Sequence, residues 1–166
     1  SVLPTWNLGL SNNFTWKDLN FGFVISARLG GKVISYTQAI LDAYGVSEAS
    51  ATARDNGGFP VNNGYVSAEN WYKVVGGTGG IYSHYVYDAT NIRLQEANIG
   101  YTLPSSWFNN KVRVTTSLVG RNLLMIYKKA PFDPESTAST SNYYQGLDYF
   151  MVPSLRSIGF NLKFEF

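Results

Sequence analysis

The stretch Ser154–Phe166, which reads Ser-Leu-Arg-Ser-Ile-Gly-Phe-Asn-Leu-Lys-Phe-Glu-Phe, decides the fold class of this chain. From Ile158 onward every second residue is large and apolar, and the residues between them are glycine or polar. Because successive side chains of a strand point to opposite faces, this spacing predicts a strand with one apolar and one polar face. Its length suits the roughly 9–11 residues with which a tilted strand crosses a membrane. We therefore expect lipid on the apolar side, a polar channel on the other, and Phe166 in an aromatic girdle.

The composition of the 166-residue chain indicates a surface that does not meet water alone. Aromatic residues make up 16% of the chain and charged residues 14%, which is well below the ~25% charged residues of ordinary soluble domains. The net charge of +2 is small and the basic residues are scattered, so a nucleic-acid-binding surface is excluded. No window approaches the ~18 consecutive apolar residues of a membrane helix, so any membrane crossing is predicted to use strands.

Four further segments alternate like the last one, which gives five predicted strands at approximately residues 6–16, 19–30, 91–103, 111–127 and 154–166. The first two strands are joined by the tight turn Lys17-Asp18 and form a hairpin. In the third strand the apolar phase changes between Leu94 and Ala97. One extra residue would cause this change, so we predict a β-bulge near Gln95-Glu96.

The connections between the predicted strands alternate in length. Residues 17–18 and 104–110 form short turns, whereas residues 31–90 and 128–153 form long loops. Outer-membrane barrels have short periplasmic turns and long extracellular loops, so this alternation predicts an all-β, antiparallel up-and-down transmembrane barrel with a periplasmic C-terminus. Five strands cannot close a barrel of even strand number, so we expect the C-terminal part of a larger barrel.

The two long loops are predicted to carry the binding groups. In the first loop, Thr37–Tyr44 has the pattern of a short helix and Ala68–Tyr72 that of a helical turn. Aromatic rings in such loops stack on sugars, pack against one another or contact a partner protein, and the last two roles are favoured here. The candidate contact residues are Trp71, Tyr72, Tyr82, Tyr85, Tyr143 and Tyr144, and further loop aromatics are Tyr87, Tyr149 and Phe150.

The sequence predicts no catalytic, cofactor or metal site. The run Gly76-Gly-Thr-Gly-Gly80 lacks the following Lys-Ser/Thr of a phosphate-binding loop. The single histidine, His84, has no Ser-His-Asp or metal-ligand partners at a recognisable spacing. Asp133 and Glu135 flank Pro134 in an ordinary turn pattern, which is favoured over an acid pair or an ion site. An enzyme is therefore not expected.

Several motifs carry a resemblance to a known family. They are Pro4-Thr-Trp-Asn-Leu-Gly-Leu10, Asn91-Ile-Arg-Leu-Gln-Glu-Ala-Asn-Ile-Gly-Tyr-Thr-Leu-Pro104, Gly120-Arg-Asn-Leu123, Phe132-Asp-Pro-Glu135 and the ending Ser157–Phe166. In this order and spacing they resemble the C-terminal portion of SusC/RagA-type TonB-dependent outer-membrane transporters of Bacteroidota, over nearly all of the chain. The resemblance implies a 22-stranded barrel with an N-terminal plug domain, which is absent from these residues.

The resemblance also implies a function and a set of partners. The whole transporter would import oligosaccharides or peptides across the outer membrane beneath a SusD-like surface lipoprotein. TonB-ExbB-ExbD would supply energy through the missing plug. The terminal strand resembles the signal that the BAM assembly complex reads in such barrels, carried here by Gly159, Phe160, Leu162, Phe164 and Phe166. A strand with a free edge can join another sheet through backbone hydrogen bonds, which fits that role.

A function from another class remains open at the level of sequence. A soluble, secreted β-sandwich that binds carbohydrate would also contain alternating strands, and the loop aromatics would form its binding platform. The two hypotheses differ in what covers the apolar faces of the strands. A sandwich buries them against a second sheet, whereas a membrane barrel leaves them outside for lipid.

Overall fold

The computed structural model describes residues 1–108, 111–138, 141 and 144–166. In these residues the strands are β1 (Trp6–Trp16), β2 (Leu19–Leu29), β3 (Lys32–Ser35), β4 (Phe59–Val61), β5 (Gly64–Val66), β6 (Val86–Asp88), β7 (Asn91–Thr102), β8 (Arg113–Lys128), β9 (Leu147–Asp148) and β10 (Ser157–Glu165). The helices are α1 (Tyr36–Ala43), α2 (Glu48–Asp55) and α3 (Ala68–Gly76), with 3-10 turns at Tyr82–Tyr85 and Ser105–Phe108. The fold is therefore mostly β, and the helices in the first connection are a departure from the predicted all-β class.

The chain divides into two compact units. The sheet unit consists of Pro4–Gly30, Ala89–Asp133 and Pro153–Phe166, and the loop unit consists of Ser1–Leu3, Gly31–Asp88 and Pro134–Val152. The loop unit thus contains most of the two connections that the sequence predicts as long loops. The first connection is folded, because serine caps and buried aromatic side chains give it helices and a core of its own.

The sheet unit is an antiparallel meander in the order β1-β2-β7-β8-β10. Each strand pairs with the one before it in this order and runs in the opposite direction. The turn between β1 and β2 has only Lys17 and Asp18 between the paired residues Trp16 and Leu19. Lys17 adopts a φ of 54°, the left-handed conformation that two-residue hairpin turns favour. The sheet is open, with β1 and β10 at its edges.

An irregularity crosses the middle of the sheet at Gln95. On one side of β7, Val24 faces Glu96 and Ile25 faces Leu94, so Gln95 is the extra residue. On the other side, the pairing of β7 with β8 also shifts between Leu94 and Glu96. The phase change in the sequence predicts a bulge near Gln95-Glu96, and the structure has the bulge at this position.

The loop unit begins each of its α-helices with a serine. The side chains of Ser35, Ser47 and Ser67 accept hydrogen bonds from the third backbone N–H that follows each of them. Among the described residues, buried side chains of this unit form clusters that include Ala39, Val75 and Tyr85, and Ala53, Ala68 and Tyr72. In both clusters, small alanine side chains of the helices leave the space that a buried tyrosine ring fills.

A small sheet joins the two predicted loops within the loop unit. Its order is β6-β3-β9, with β9 parallel to β3. The hydroxyl of Ser35, at the end of β3, donates a 2.6 Å hydrogen bond to the Asp148 carboxylate in β9, and both residues are buried. Segments 113 residues apart therefore fold together, which local sequence patterns do not predict.

Candidate functional site

One face of the sheet unit carries continuous rows of apolar side chains. The register places Phe14, Phe21, Ile99, Leu118 and Phe160 side by side across the five strands. These side chains are between 45% and 68% exposed. A large apolar side chain gains about 1.5–3 kcal/mol when it is fully buried, so this row has an unmet preference for an apolar medium.

Neighbouring rows extend the same face along the strands. Their exposed apolar members include Trp6, Leu8, Leu10, Trp16, Tyr101, Leu124, Ile126, Ile158, Leu162 and Phe164. Contiguous apolar patches of this extent are uncommon on monomeric water-soluble proteins, and they indicate contact with a membrane or another protein. A β-sandwich would bury these rows, so the exposed face does not support the sandwich hypothesis.

The opposite face of the sheet unit is polar. One cross-strand row consists of Thr15, Asn20, Gly100, Ser117 and Asn161. Groups on this face bond to one another: the Thr15 hydroxyl donates to the Asn20 side chain at 3.0 Å, and the hydroxyls of Thr102 and Thr115 lie 3.1 Å apart. An Arg121–Glu96 ion pair at 3.1 Å joins β8 to β7. A wall of this kind suits contact with water and polar solutes.

A buried ion pair marks one end of the polar face. The Arg93 side chain is only 6% exposed, and its Nη2 donates to Asp133 Oδ1 at 2.7 Å. Its Nη1 also lies 3.4 Å from Asn122 Oδ1. Removing one partner of a buried pair costs about 3–5 kcal/mol, because the remaining charge is left without its counterion. The turn pattern around Asp133 gives no sign of this pairing, because its partner lies 40 residues earlier in the chain.

The predicted assembly signal lies on the edge strand β10 and at its end. Phe160, Leu162 and Phe164 are exposed on the apolar face, and Phe166 at the terminus is 99% exposed. Gly159 lies in the same strand, opposite Val119 of β8. β10 is the last strand in the sheet order, so its outer edge can accept another strand.

The candidate loop aromatics separate into core and surface residues. Tyr72 and Tyr85 are 4% and 0% exposed, so they form the core of the loop unit and cannot contact a cargo or a partner in this conformation. Trp71 stacks on Phe59 with ring centroids 4.3 Å apart, and Tyr82 stacks on Tyr36 at 4.7 Å. Trp71 and Tyr82 are half-buried, so part of each ring remains accessible.

The second connection presents a more exposed aromatic group. Tyr144 is 48% exposed, whereas Tyr143 lies outside the described residues. Tyr149 and Phe150 are both 52% exposed and meet edge to face at 5.5 Å. Phe150 has a φ of 48°, which is rare for a bulky residue, and its N–H donates to Thr37 Oγ1 at 2.7 Å. Sequence reasoning does not single out Phe150 among these residues, since nothing local indicates its backbone conformation.

A buried carboxylate organises the tyrosines of the loop unit. Asp42 accepts hydrogen bonds from Gln38 Nε2 at 2.8 Å and from the Ser47 hydroxyl. Burial, and secondarily the negative charge of Asp42, raises the pKa of Tyr85 far above its ordinary value of 10. The same two causes raise the pKa of Tyr72 and of Tyr87. These phenols stay protonated at neutral pH, so they act as packing groups rather than as bases.

His84 is exposed and lies against the aromatic side chains of this core. Its ring meets the rings of Tyr85, Trp71 and Phe59 edge to face, at 5.2, 6.5 and 6.5 Å.

In the part of the chain that the structure describes, no group of three or more His, Cys, Asp or Glu side chains could hold a metal ion. Among these described residues no helix is long and apolar enough to span a membrane.

Comparison with known proteins agrees with the geometry of the sheet unit. No family model matches the chain. A curated relative, TonB-dependent receptor P3 of Formosa agariphila, is 29% identical over 171 aligned residues, which cover 97% of this chain. The chain is similar in sequence to a TonB-dependent receptor. The sequence resemblance to that class is therefore confirmed, although the chain spans only 16% of the length of receptor P3.

Solved structures share the fold of this chain. The RagAB peptide importer in its open-open state matches 99% of this chain with a TM-score of 0.63 at 20% identity. The closed-closed state matches with a TM-score of 0.59. In both cases the match covers 17% of the importer chain. This chain thus shares its fold with one part of the RagAB peptide importer, and neither similar protein is named as an enzyme.

Proposed function

We propose that this chain forms part of the wall of an outer-membrane, TonB-dependent importer. The observation that carries the proposal is the row of five apolar side chains across all five strands, each at least 45% exposed. Lipid is the medium that such a face fits, and the polar face then lines the channel. The receptor and importer relatives support the same assignment.

In the proposed barrel, the two ends of the sheet lie on opposite sides of the outer membrane. The short turns lie in the periplasm together with the C-terminus, and the long connections lie outside the cell. The five strands form the C-terminal part of a 22-stranded barrel, and β10 closes it against another strand. Before closure, Gly159, Phe160, Leu162, Phe164 and Phe166 present the free edge and apolar face to the BAM complex. The exposed face and free edge of β10 support this role.

The loop unit is the proposed contact with the surface partner and the cargo. A SusD-like lipoprotein docks on the extracellular connections, and the cargo is an oligosaccharide or a peptide. The peptide importer among the structural relatives supports the second choice. The aromatic side chains available for these contacts include Tyr82, Tyr144, Tyr149, Phe150 and the open part of Trp71. Energy comes from TonB-ExbB-ExbD through a plug domain outside these residues.

Cysteine accessibility in intact outer membranes tests the orientation of the sheet. These 166 residues contain no cysteine, so none of them adds a background thiol to a single introduced one. Ser117 and Leu118 are adjacent but belong to opposite faces of β8. Ser117→Cys should react with a water-soluble maleimide, whereas Leu118→Cys should react only with a membrane-permeant one. Equal reaction of both variants with the water-soluble reagent would contradict the proposal.

Uptake measurements test the transport function itself. Cells that lack the gene should lose uptake of either a labelled oligosaccharide pool or a labelled peptide pool, and a strain that lacks TonB should lose the same uptake. Restoring the gene should restore that uptake, which identifies the cargo class. Normal uptake of both pools in the deletion strain would exclude the proposed function.

A further inference from the structure

The alternating pattern of the terminal strand leaves its register undetermined. From Ile158 to Phe166 the apolar residues recur at every second position. A slip of two residues along β8 would still place apolar side chains on the apolar face, because the side-chain period of a strand is two. The observed register, in which Asn161 faces Ser117, must therefore be selected by contacts outside the alternating run.

Side-chain hydrogen bonds from β8 hold the segment that leads into β10. On β8, Asn122 and Leu123 lie opposite the bulged Gln95, and the ladder between β8 and β10 begins at the neighbouring pair Arg121 and Ser157. The Asn122 side-chain nitrogen donates to the Ser154 carbonyl at 2.7 Å and lies 3.4 Å from the Leu155 carbonyl. These contacts fix the position along β8 at which the segment before β10 arrives.

The other end of the Asn122 amide is held by the buried ion pair. Arg93 Nη1 lies 3.4 Å from Asn122 Oδ1, and the Arg93 guanidinium is fixed in turn by Asp133. Because Arg93 fixes which end of the amide is oxygen, the nitrogen must point toward Ser154. Asn122 also adopts a φ of 51°, a left-handed conformation that asparagine tolerates better than most residues. Residue type and backbone conformation at this position thus suit one another.

We infer that Arg93, Asn122 and Asp133 act together as a register lock for the terminal strand. Three of the motifs quoted from the sequence each supply one member: Asn91–Pro104, Gly120–Leu123 and Phe132–Glu135. The fold brings these three distant motifs together at one point. Because the three residues act on β10 through Asn122, they are positioning residues. This role is separate from the proposed transport and does not depend on the cargo.

Paired cysteines measure the register directly in the outer membrane of cells that produce the full polypeptide. Directly opposed residues have Cα atoms about 4.5–5.5 Å apart, within disulfide range, whereas diagonal neighbours lie about 7–8 Å apart. Ser117→Cys with Asn161→Cys reports the observed register. Ser117→Cys combined with Gly159→Cys or with Lys163→Cys reports a two-residue slip in either direction.

Two substitutions of Asn122 then test the lock. Asn122→Asp keeps the oxygen that faces Arg93 but removes the donor to Ser154, and Asn122→Gly keeps the left-handed backbone without any side chain. In both variants the disulfide yield of the native pair should fall at least threefold, and a slipped pair should rise by a similar amount. The control Asn98→Ala, on the polar face of β7, should leave both yields unchanged.

Each result decides the question. Unchanged native yield in both Asn122 variants overturns the inference, and so does a loss of native yield without any slipped product, since the strand would then detach rather than shift. If a variant fails to accumulate in the membrane, the native cysteine pair becomes the test. Recovery of the protein level in oxidising medium supports the lock, because the disulfide replaces it, and failure to recover overturns it.

Discussion

The sheet unit and the loop unit are stabilised in different ways. In the sheet unit the large apolar side chains of one face are about half exposed, and the order comes from backbone ladders between neighbouring strands. In the loop unit, Tyr85 is fully buried, and the helices begin at serine caps. The first unit needs an external apolar medium, whereas the second has its own core. Substitutions of matched kind should therefore have different consequences in the two units.

The largest expected effect is the loss of the Tyr85 ring. Tyr85→Ala leaves a cavity in the loop unit and should lower its free energy of unfolding by about 3–5 kcal/mol, as for other buried aromatic side chains. Hydrogen exchange of the amides in residues 31–88 measures this change, and amides of β7 and β8 serve as the internal reference. Phe160→Ala, on the exposed apolar face, should leave the loop unit unchanged. Similar losses in both units would contradict the difference between them.

A charge on the apolar face should have the next largest effect. Leu118→Lys places an ammonium group against hydrocarbon and should destabilise the membrane-inserted protein by about 2–4 kcal/mol near the midplane. The adjacent Ser117→Lys points to the polar face and should cost far less. Urea titration of the protein folded in lipid vesicles measures both variants. If Ser117→Lys is the more damaging variant, the assignment of the two faces is reversed.

Alkaline pH should affect the loop unit more than the sheet unit. Burial raises the pKa of Tyr85 above 10 in the folded state, so above pH 10 the unfolded chain loses this proton while the folded chain keeps it. The contribution of this phenol to the free energy of unfolding is therefore fully present below pH 10. Above pH 10 it falls by about 1.4 kcal/mol per pH unit for each such phenol. Hydrogen-exchange protection of residues 31–88 between pH 9 and 11, corrected for intrinsic rates, measures the slope. Tyr85→Phe should make it shallower, and an identical slope would exclude Tyr85 as its source.

The smallest effect concerns a single helix cap. Ser67→Ala removes the acceptor for the Asn70 N–H and should cost the loop unit about 1 kcal/mol. Ser67→Asp supplies another good cap and should restore most of that stability. Hydrogen exchange of the amides in residues 31–88 compares the two variants, because emission from Trp6, Trp16 and Trp107 would overlap that of Trp71. Equal losses for Ala and Asp would mean that the serine acts through something other than its cap.

The two units also differ in how much the sequence predicts. The alternation in residues 6–16 and 19–30 places strands close to the observed β1 and β2, and the phase change near Gln95 marks the observed bulge. The predicted helix Thr37–Tyr44 corresponds to α1 one residue earlier, and α3 extends beyond the predicted turn. These features arise from near neighbours in the chain, which is why a local pattern contains them.

Contacts between residues that are distant in the sequence cannot be predicted from such local patterns. The helix α2 has alternating small and polar residues with little apolar periodicity, so its serine cap is the main local sign of it. The pairing of Arg93 with Asp133 and of Ser35 with Asp148 joins residues 40 and 113 positions apart. In the sequence, Tyr72 and Tyr85 look the same as the exposed Tyr144, because all three are tyrosines in predicted loops. Only the packing of α1 and α3 makes the first two core residues.

The parallel pairing of β3 with β9 has a consequence for the order of events in biogenesis. β3 is synthesised more than a hundred residues before β9, so the three-stranded sheet cannot be completed until most of the chain has been made. Contacts between such distant segments are slow to form, since a long loop must close first. The small sheet therefore forms late, and a chain whose synthesis stops before residue 147 would contain β3 without its parallel neighbour.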